Sequence, residues 1–412
     1  MNYKKRIYEK LIKDFSKLFK IIFLVGARQV GKSSLLAHMF PDIKIFVFDP
    51  VQDIYNARNN PDLFLKDFTS PLILDEIQFV PELLPSLKRF ADTSDAPGQY
   101  FLTGSQQLSI LKSVSESLAG RVVIIPIGIM TPHEMYDEFD VEKNWFLQYL
   151  KNPDTFFKNS SELLQHVPSR IEAIWRGGMP GTIDLPNNAL PFYFSSYVQT
   201  YVERDVRLLE NIEDLSAFGT FLSLLSALTS QEINYSQLGR ELGVAPKTAQ
   251  RWLRLLVHTY QWSELPPFHM NAIKRLSLKP KGIISDTGLA CYLQRISSPE
   301  ALAASPMQGA FFESYCFNMI KGFCGALPMA PHFYHWRTLA GAEVDILVEI
   351  DGRFYPIEVK SATVVSKSDI RGIEAFRATY PHLNIAKGVV IYAGDICYRV
   401  TEDVIAVPWN LK

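Results

Sequence analysis

The feature that most constrains this chain is the stretch from Lys20 to Leu36. It opens with a short run of β-branched and aromatic residues, continues as Gly26-Ala27-Arg28-Gln29-Val30-Gly31-Lys32-Ser33, and ends in an apolar-periodic segment. This order predicts a strand, a loop bounded by two glycines, and a helix. A glycine-rich turn that binds nothing is the alternative, and the match at all four fixed positions favours a phosphate-binding loop.

Each fixed residue type in this loop has a chemical use. Gly26 and Gly31 let backbone N–H groups turn inward at the positive end of the following helix. Lys32 brings a full positive charge to the outer phosphates, and the Ser33 hydroxyl can ligate a magnesium ion. We therefore expect ATP and Mg²⁺ to bind at Gly26, Ala27, Arg28, Gln29, Val30, Gly31, Lys32, Ser33 and Ser34.

A pair of acids follows the apolar run Pro71-Leu72-Ile73-Leu74. Asp75 is the candidate for holding the metal with its water shell, and Glu76 is the candidate general base for an attacking water. Two solvated acids at the end of a strand are the alternative. Their position downstream of a phosphate loop favours the catalytic interpretation.

Further apolar runs alternate with helix-length segments through the first 150 residues. Strands are predicted at 43–48, 99–103 and 121–127. Such alternation is typical of a parallel sheet covered by helices on both faces. Ligands bind beyond the carboxyl ends of parallel strands, so the loop, the acid pair and Thr103-Gly104-Ser105 are expected to gather there.

Two polar residues of this region remain open in role. Ser105, or Thr103 beside it, can orient the water near the terminal phosphate, or it can simply cap the next helix. Arg121 opens an otherwise apolar strand. It can act as an arginine finger on the terminal phosphate of its own or a neighbouring subunit, or it can form a surface salt bridge.

Composition limits the class of protein. A chain of 412 residues predicts two or three domains. The net charge of -1 excludes a global polycation, so any nucleic-acid surface must be local. Its four cysteines have neither metal-ligand spacing nor a disulfide-rich density. The first residues lack the apolar core of a signal peptide, and no run is long and apolar enough to span a bilayer. Together, these observations predict a cytoplasmic protein.

The segment from Ile233 to His258 predicts a helix-turn-helix. A helix at 236–242 is followed by Gly243-Val244 and by a second helix that Pro246 can open. Strands near 260–264 and 275–278 would complete a winged helix. Positive charge is predicted on the second helix at Lys247, Arg251 and Arg254 and on the following strands at Lys274, Arg275, Lys279 and Lys281. This module can contact DNA, or it can serve as a lever or subunit-packing element.

After a predicted linker at Pro299–Pro306, two strand patterns carry Asp345, Glu358 and Lys360. Alternation places Glu358 and Lys360 on one face, and a hairpin at Asp351-Gly352 brings Asp345 within reach. Two carboxylates can hold magnesium while a lysine positions water for attack on a phosphodiester. Charges on the wet face of a hairpin are the alternative, although such charges are costly in apolar strands.

Taken together, these motifs resemble the AAA-superfamily, STAND-like P-loop ATPases of bacteria and archaea that end in a domain of unknown function numbered 4143. The resemblance depends on Gly26 to Ser33, Leu74 to Glu76, Leu102 to Ser105, Gly177 to Pro180, Tyr201 to Asp205, Gly341 to Asp345, and Glu358 to Lys360. It implies a C-terminal fold similar to PD-(D/E)xK nucleases, with a site formed by Glu313, Asp345, Glu358 and Lys360. Many relatives of that fold have lost nuclease activity or serve as binding platforms.

We therefore predict an α/β chain with three domains. These are an N-terminal parallel-sheet P-loop ATPase domain at 1–150, a helical winged-helix domain at 151–298, and a PD-(D/E)xK-like domain at 299–412. Our first hypothesis is an ATP-hydrolysing protein that acts on DNA. The second is a signalling or assembly switch, in which nucleotide controls homo-oligomers and the last domain is catalytically inactive.

Overall fold

The computed structural model describes residues 3–105, 114, 117–136, 140–156, 162–200, 215–271 and 278–412. It divides into two units, Met1–Gly128 with His258–Tyr260, and Ile129–Val257 with Gln261–Lys412. The segments predicted as middle and last domains both fall in the second unit beyond residue 150, so their separation stays a prediction. Within the described ranges, no helix has the length and apolar character needed to cross a membrane.

The first unit is built on a sheet whose strands alternate with helices. Its elements are α1 (Glu9–Phe15), β1 (Ile21–Val25), α2 (Lys32–Met39), β2 (Lys44–Val47), α3 (Pro61–Asp67), β3 (Leu72–Asp75), α4 (Leu83–Asp92), β4 (Tyr100–Gly104) and β5 (Val122–Pro126). The strand order is β2-β3-β4-β1-β5, and every pairing in this order is parallel. The prediction of a parallel α/β sheet at the N-terminus is confirmed.

Burial explains why the most apolar runs form the middle of this sheet. Every residue of β1, β3 and β4 is buried, whereas the edge strands β2 and β5 are partly exposed. Parallel strands covered on both faces lose contact with water along their whole length. The register places Val25 beside Gly104, so the loop after β1 and the residues that follow β3 and β4 share one edge of the sheet.

The second unit begins with helices and a small antiparallel sheet. Its first elements are α5 (Pro132–Tyr136), α6 (Trp145–Lys151), α7 (Arg170–Arg176), α8 (Leu190–Thr200), α9 (Leu215–Ala227), β6 (Gln231–Glu232), α10 (Tyr235–Leu242), α11 (Pro246–His258), β7 (Trp262–Leu265), β8 (Lys281–Ile284) and α12 (Thr287–Leu293). The sheet order is β6-β8-β7, with β8 in the centre.

The two helices predicted for the helix-turn-helix are present as α10 and α11. The Asn234 side chain accepts the first free N–H groups of α10, and Gly243 ends that helix in the left-handed conformation at φ 66°. On α11, the apolar Trp252 and Leu255 are buried as predicted. The strand predicted at 260–264 corresponds to β7. The one predicted at 275–278 falls mainly outside the described residues, and the strand that pairs with β7 is β8.

The chain ends in a larger sheet flanked by helices. Its elements are α13 (Pro299–Ala303), α14 (Gln308–Phe323), β9 (His332–Arg337), β10 (Glu343–Ile350), β11 (Arg353–Lys360), α15 (Arg371–Thr379), β12 (Asn384–Ile385), β13 (Gly388–Tyr392), β14 (Tyr398–Arg399) and β15 (Val404–Pro408). The order is β14-β15-β13-β11-β10-β9, with β12 also paired to β11. The predicted hairpin at Asp351-Gly352 joins β10 to β11.

One local prediction needs correction. The segment Pro299–Pro306 is wrong as a linker, because its first residues form α13. The Ser298 hydroxyl accepts the Ala301 N–H, Pro299 occupies the first turn, and Leu302 is fully buried. The motif Tyr201–Asp205, on which the resemblance partly depends, lies outside the described residues.

The loop Gly177–Pro180 is fixed by a buried carboxylate. Asp286 is 1% exposed, and its Oδ2 accepts the Gly178 N–H at 2.7 Å while its Oδ1 accepts the Leu289 N–H at 2.7 Å. Burial raises the pKa of Asp286, and these backbone donors partly offset that effect. A Cβ at Gly177, whose φ is +74°, would lie 2.4 Å from Asp286 Oδ1. This loop is therefore held by structural contacts inside the second unit.

Candidate functional sites

The first candidate site is the loop between β1 and α2. Gly31 has φ 87° and ψ 24° directly before α2. Gly26 has φ +155°, and a Cβ there would lie 2.2 Å from the Ile127 carbonyl oxygen. Both positions therefore require glycine, because a side chain would be strained at each and would collide with backbone at Gly26. The predicted strand, loop and helix are confirmed.

Lys32 lies at the first turn of α2 and is buried, with 5% of its surface exposed. Its Nζ donates hydrogen bonds to the carbonyl oxygens of Gly26 at 3.1 Å and Ala27 at 2.8 Å. The ammonium therefore lies inside the curve of the loop. An anion bound there would meet this charge together with the positive end of the helix.

Asp75 lies at the end of β3 beside the start of α2. The Ser33 hydroxyl donates to Asp75 Oδ1 at 2.7 Å, and the Thr103 hydroxyl donates to the same oxygen. Thr103 Oγ1 also accepts the Glu76 N–H at 3.1 Å. Hydroxyl and carboxylate oxygens are the ligands that magnesium prefers, so Ser33 and Asp75 fit the metal that the sequence predicts.

Glu76 is connected to Ser105 through a residue that the sequence analysis missed. The Gln78 side-chain amide donates to the Glu76 carboxylate and to Ser105 Oγ at 3.2 Å. Glu76 itself has the left-handed conformation, with φ 58°. The only sequence signal for Gln78 is its place two residues after the acid pair. The predicted helix-capping alternative for Ser105 lies outside the described residues.

Arg121 is placed away from the phosphate loop of its own chain. It precedes Val122, which pairs with Ile21 at the amino end of β1, whereas the loop follows Val25 at the other end. Five residues of parallel strand span about 16 Å. Arg121 instead forms a two-pronged ion pair with Asp92, with Nε–Oδ1 at 2.6 Å and Nη2–Oδ2 at 2.9 Å. Of the alternatives left open for Arg121, the surface ion pair is the one observed, and a finger on its own phosphate does not fit this position. A role on the phosphate of a neighbouring subunit stays a prediction.

The second candidate site is formed by the β10–β11 hairpin. The pairing of Ile346 with Ile357 places Asp345 opposite Glu358. Asp345 Oδ2 accepts the Val359 N–H at 2.9 Å, and Lys360 Nζ lies 3.0 Å from Glu358 Oε2. The predicted convergence of these side chains is confirmed. A cavity of about 470 Å³ opens on them.

Two further side chains complete this cluster. Lys281 of β8, predicted as part of a basic surface, is only 3% exposed and reaches Glu313 Oε1 at 2.8 Å. It also lies 2.8 Å from Glu343 Oε1 and 3.5 Å from Asp345 Oδ1. Glu313, which the resemblance implied, therefore belongs to the cluster. Lys281 was missed as a member because no motif links it to the other residues. Glu343 was missed because, within the motif Gly341–Asp345, only Asp345 was singled out.

The cluster shares protons unevenly. Burial raises the pKa of Glu358 well above its usual range, and the negative charge of Asp345 raises it further. Burial opposes ionisation of Asp345 as well, but the Lys281 ammonium and a hydrogen bond from Glu358 outweigh it and lower the Asp345 pKa. Burial and the charge of Asp345 also raise the pKa of Glu313. Glu358 therefore holds a proton when Asp345 is ionised.

Comparison with known families divides the chain into three matched segments. Residues 18–136 match a family model described as an AAA domain. Residues 308–411 match the domain of unknown function 4143, as the sequence analysis expected, and residues 168–300 match another domain of unknown function, 8612. The loop between β1 and α2 and the acid pair Asp75-Glu76 lie in the first segment.

Two mycobacterial proteins are similar along most of the chain. Both Mb2031c of Mycobacterium bovis and Rv2008c of Mycobacterium tuberculosis are described as uncharacterized, and each is 28% identical over 389 residues, which cover 94% of this chain and 80% of the relative. Among solved structures, the Walker-type ATPase PABY2304 of Pyrococcus abyssi is 15% identical with a TM-score of 0.38, covering 70% of this chain and 94% of that one. A TM-score of 0.38 is too low to establish that the two chains share a fold.

Proposed function

We propose that this protein binds and hydrolyses ATP with magnesium at the loop Gly26–Ser34. The observation that carries this proposal is the convergence of Lys32, Ser33 and Asp75 at the start of α2. The match of residues 18–136 to an AAA domain supports it. A buried ammonium, a helix N-terminus and a hydroxyl paired with a carboxylate are the groups that a nucleoside triphosphate and its metal require.

The described residues divide the chemistry between them. Lys32 and the loop N–H groups bind the outer phosphates, and Ser33 with Asp75 would hold magnesium, which neutralises the charge that develops during phosphoryl transfer. Glu76 accepts the proton of the attacking water. Gln78 positions the Glu76 carboxylate against Ser105 through its two hydrogen bonds.

Replacing Glu76 by glutamine tests this division of roles. We expect Glu76→Gln to bind ATP as the unmodified protein does but to release phosphate about 100-fold more slowly, because general-base catalysis contributes at least that factor. Glu82→Gln is the matched control, since Glu82 is an exposed acid of the same unit. If Glu76→Gln released phosphate at the rate of the unmodified protein, and that rate still rose with ATP concentration, another group would have to activate the water.

We further propose DNA as a partner of the second unit, on the basis of one face of α11. Lys247, Arg251 and Arg254 are exposed there, and exposed cations on such a helix can contact phosphates. If each cation contacts one phosphate, affinity for a DNA duplex should fall about 40-fold between about 50 and 200 mM salt.

Fluorescence anisotropy with a labelled duplex measures this dependence. The triple alanine variant of Lys247, Arg251 and Arg254 should lose most of the salt effect, whereas alanine at the exposed Lys143 and Lys367 should not. Absence of binding at low salt, together with nucleotide-dependent homo-oligomers, would favour the switch hypothesis instead. Metal-dependent cleavage by Glu313, Asp345, Glu358 and Lys360 is a separate prediction from the sequence, and it requires a divalent metal at this cluster.

A further inference from the structure

A lysine side chain fills the centre of the carboxylate cluster in the second unit. Lys281 Nζ lies 2.8 Å from Glu313 Oε1, 2.8 Å from Glu343 Oε1 and 3.5 Å from Asp345 Oδ1. These acids come from two different elements, α14 and β10, while the lysine comes from β8. The ammonium thus contacts three oxygens much as a bound cation would.

The backbone fixes this lysine in place. Lys281 lies on the central strand of its sheet, where it pairs with Leu265 of β7 and Glu232 of β6. The next residue, Gly282, packs so closely that a Cβ would lie 2.1 Å from the Trp262 ring. A strand held on both edges and one face has little freedom to withdraw its side chain. The position of the ammonium is therefore set by the packing of β8.

We propose that the Lys281 ammonium is the resident cation of this cluster, and that the cluster binds no divalent metal while Lys281 is in place. The site is then an internal ion network that joins the β6–β8–β7 sheet to α14 and β10. This inference does not depend on ATP hydrolysis in the first unit. It also separates the cluster from a metal-dependent nuclease site of the same acids.

The positive charges already present support the proposal. Two ammonium groups lie in the cluster, that of Lys281 at 2.8 Å from Glu313 Oε1 and that of Lys360 at 3.0 Å from Glu358 Oε2. A divalent ion coordinated by Asp345 would have to approach the buried Lys281 ammonium, which lies 3.5 Å from Asp345 Oδ1, and two cations so close to each other repel.

The arrangement of the acids gives independent support. Across the part of the chain that the structure describes, there is no group of three or more His, Cys, Asp or Glu side chains placed to hold a metal ion. Glu313, Asp345 and Glu358 are near one another, but Lys281 lies between the first two. A divalent ion would therefore have to take the place of the ammonium and draw Glu313 and Asp345 toward it.

Manganese binding to the nucleotide-free full chain tests this inference. Electron paramagnetic resonance counts free and bound Mn²⁺ during a titration at neutral pH. The unmodified protein and the Asp345→Asn variant should bind the same amount of Mn²⁺, because Asp345 holds no metal while Lys281 is in place. Lys281→Met, which keeps a long unbranched side chain without the charge, should gain a site at least ten-fold tighter than any in the unmodified protein. Adding Asp345→Asn should abolish that site.

Controls separate this effect from loss of charge and from misfolding. Lys279→Met removes a positive charge two residues away at an exposed position and should gain no site. If Lys281→Met does not fold, Lys281→Met with Glu343→Gln restores the charge balance and still leaves Glu313, Asp345 and Glu358 as ligands. Mn²⁺ binding by the unmodified protein that Asp345→Asn removes, or a folded Lys281 variant that gains no site, would overturn the proposal.

Discussion

Replacing Lys32 by alanine is expected to lower ATP turnover about 100-fold or more, the loss typical when one electrostatic contact to a developing charge is removed. The Lys32 ammonium is the buried cation of the loop and lies within 3.1 Å of the Gly26 and Ala27 carbonyl oxygens. On binding ATP it would exchange these carbonyl contacts for phosphate oxygens. Alanine can replace neither the charge nor the reach, so binding should weaken as well. Phosphate release at saturating ATP and magnesium measures the effect.

The control for this variant is Lys88→Ala, which removes an exposed lysine of the same unit. Both proteins should keep the circular dichroism spectrum of the unmodified chain. Because Lys32 also ties the loop through two carbonyl groups, a small change in melting temperature is compatible with the prediction. Turnover by a folded Lys32→Ala protein that equals that of Lys88→Ala would refute the assignment of this loop as the hydrolytic site.

Replacing Asp286 by alanine is expected to destabilise the second unit strongly. Its carboxylate accepts the Gly178 and Leu289 N–H groups, and the substitution leaves both of these donors buried without an acceptor. Each buried donor left without a partner costs about 1–3 kcal/mol, or about 2–6 kcal/mol for the two. In a unit of this size, that loss should lower the melting temperature by about 5–15 °C.

Differential scanning calorimetry of the full chain measures this shift. Asp184→Ala, at an exposed position of the same unit, is the matched control and should leave the transition unchanged. Asp286→Asn keeps one side-chain oxygen as an acceptor and should fall between the two. A melting temperature for Asp286→Ala within one degree or so of the control would mean that the loop Gly177–Pro180 does not depend on this carboxylate.

Features set by neighbouring residues could be predicted from the sequence. The glycine spacing around Lys32 requires a left-handed residue before α2, and the structure has one at Gly31. Alternation along β11 and the short turn before it brought Asp345 and Glu358 together as expected. In each case, the residues concerned lie close together in the sequence. Local backbone preference and the alternation of side chains are therefore enough to place them.

Features that depend on topology could not be predicted in the same way. The role of Arg121 was left open because a strand pattern alone does not give the direction of its pairing. With β5 parallel to β1, the start of β5 lies at the edge away from the phosphate loop. Lys281 was taken for a surface charge, since its partners Glu313 and Glu343 are distant in sequence and come from other elements. The Pro299 segment was taken for a linker, although Ser298 and Pro299 are also the residues that begin a helix.

A structure of the full chain with a non-hydrolysable ATP analogue and magnesium tests the central claim most directly. The account predicts outer phosphates within hydrogen-bond distance of Lys32 Nζ and the loop N–H groups, with the metal next to Ser33 and Asp75. A loop without nucleotide at saturating concentration, in which Lys32 still donates to the Gly26 and Ala27 carbonyl oxygens, would contradict it.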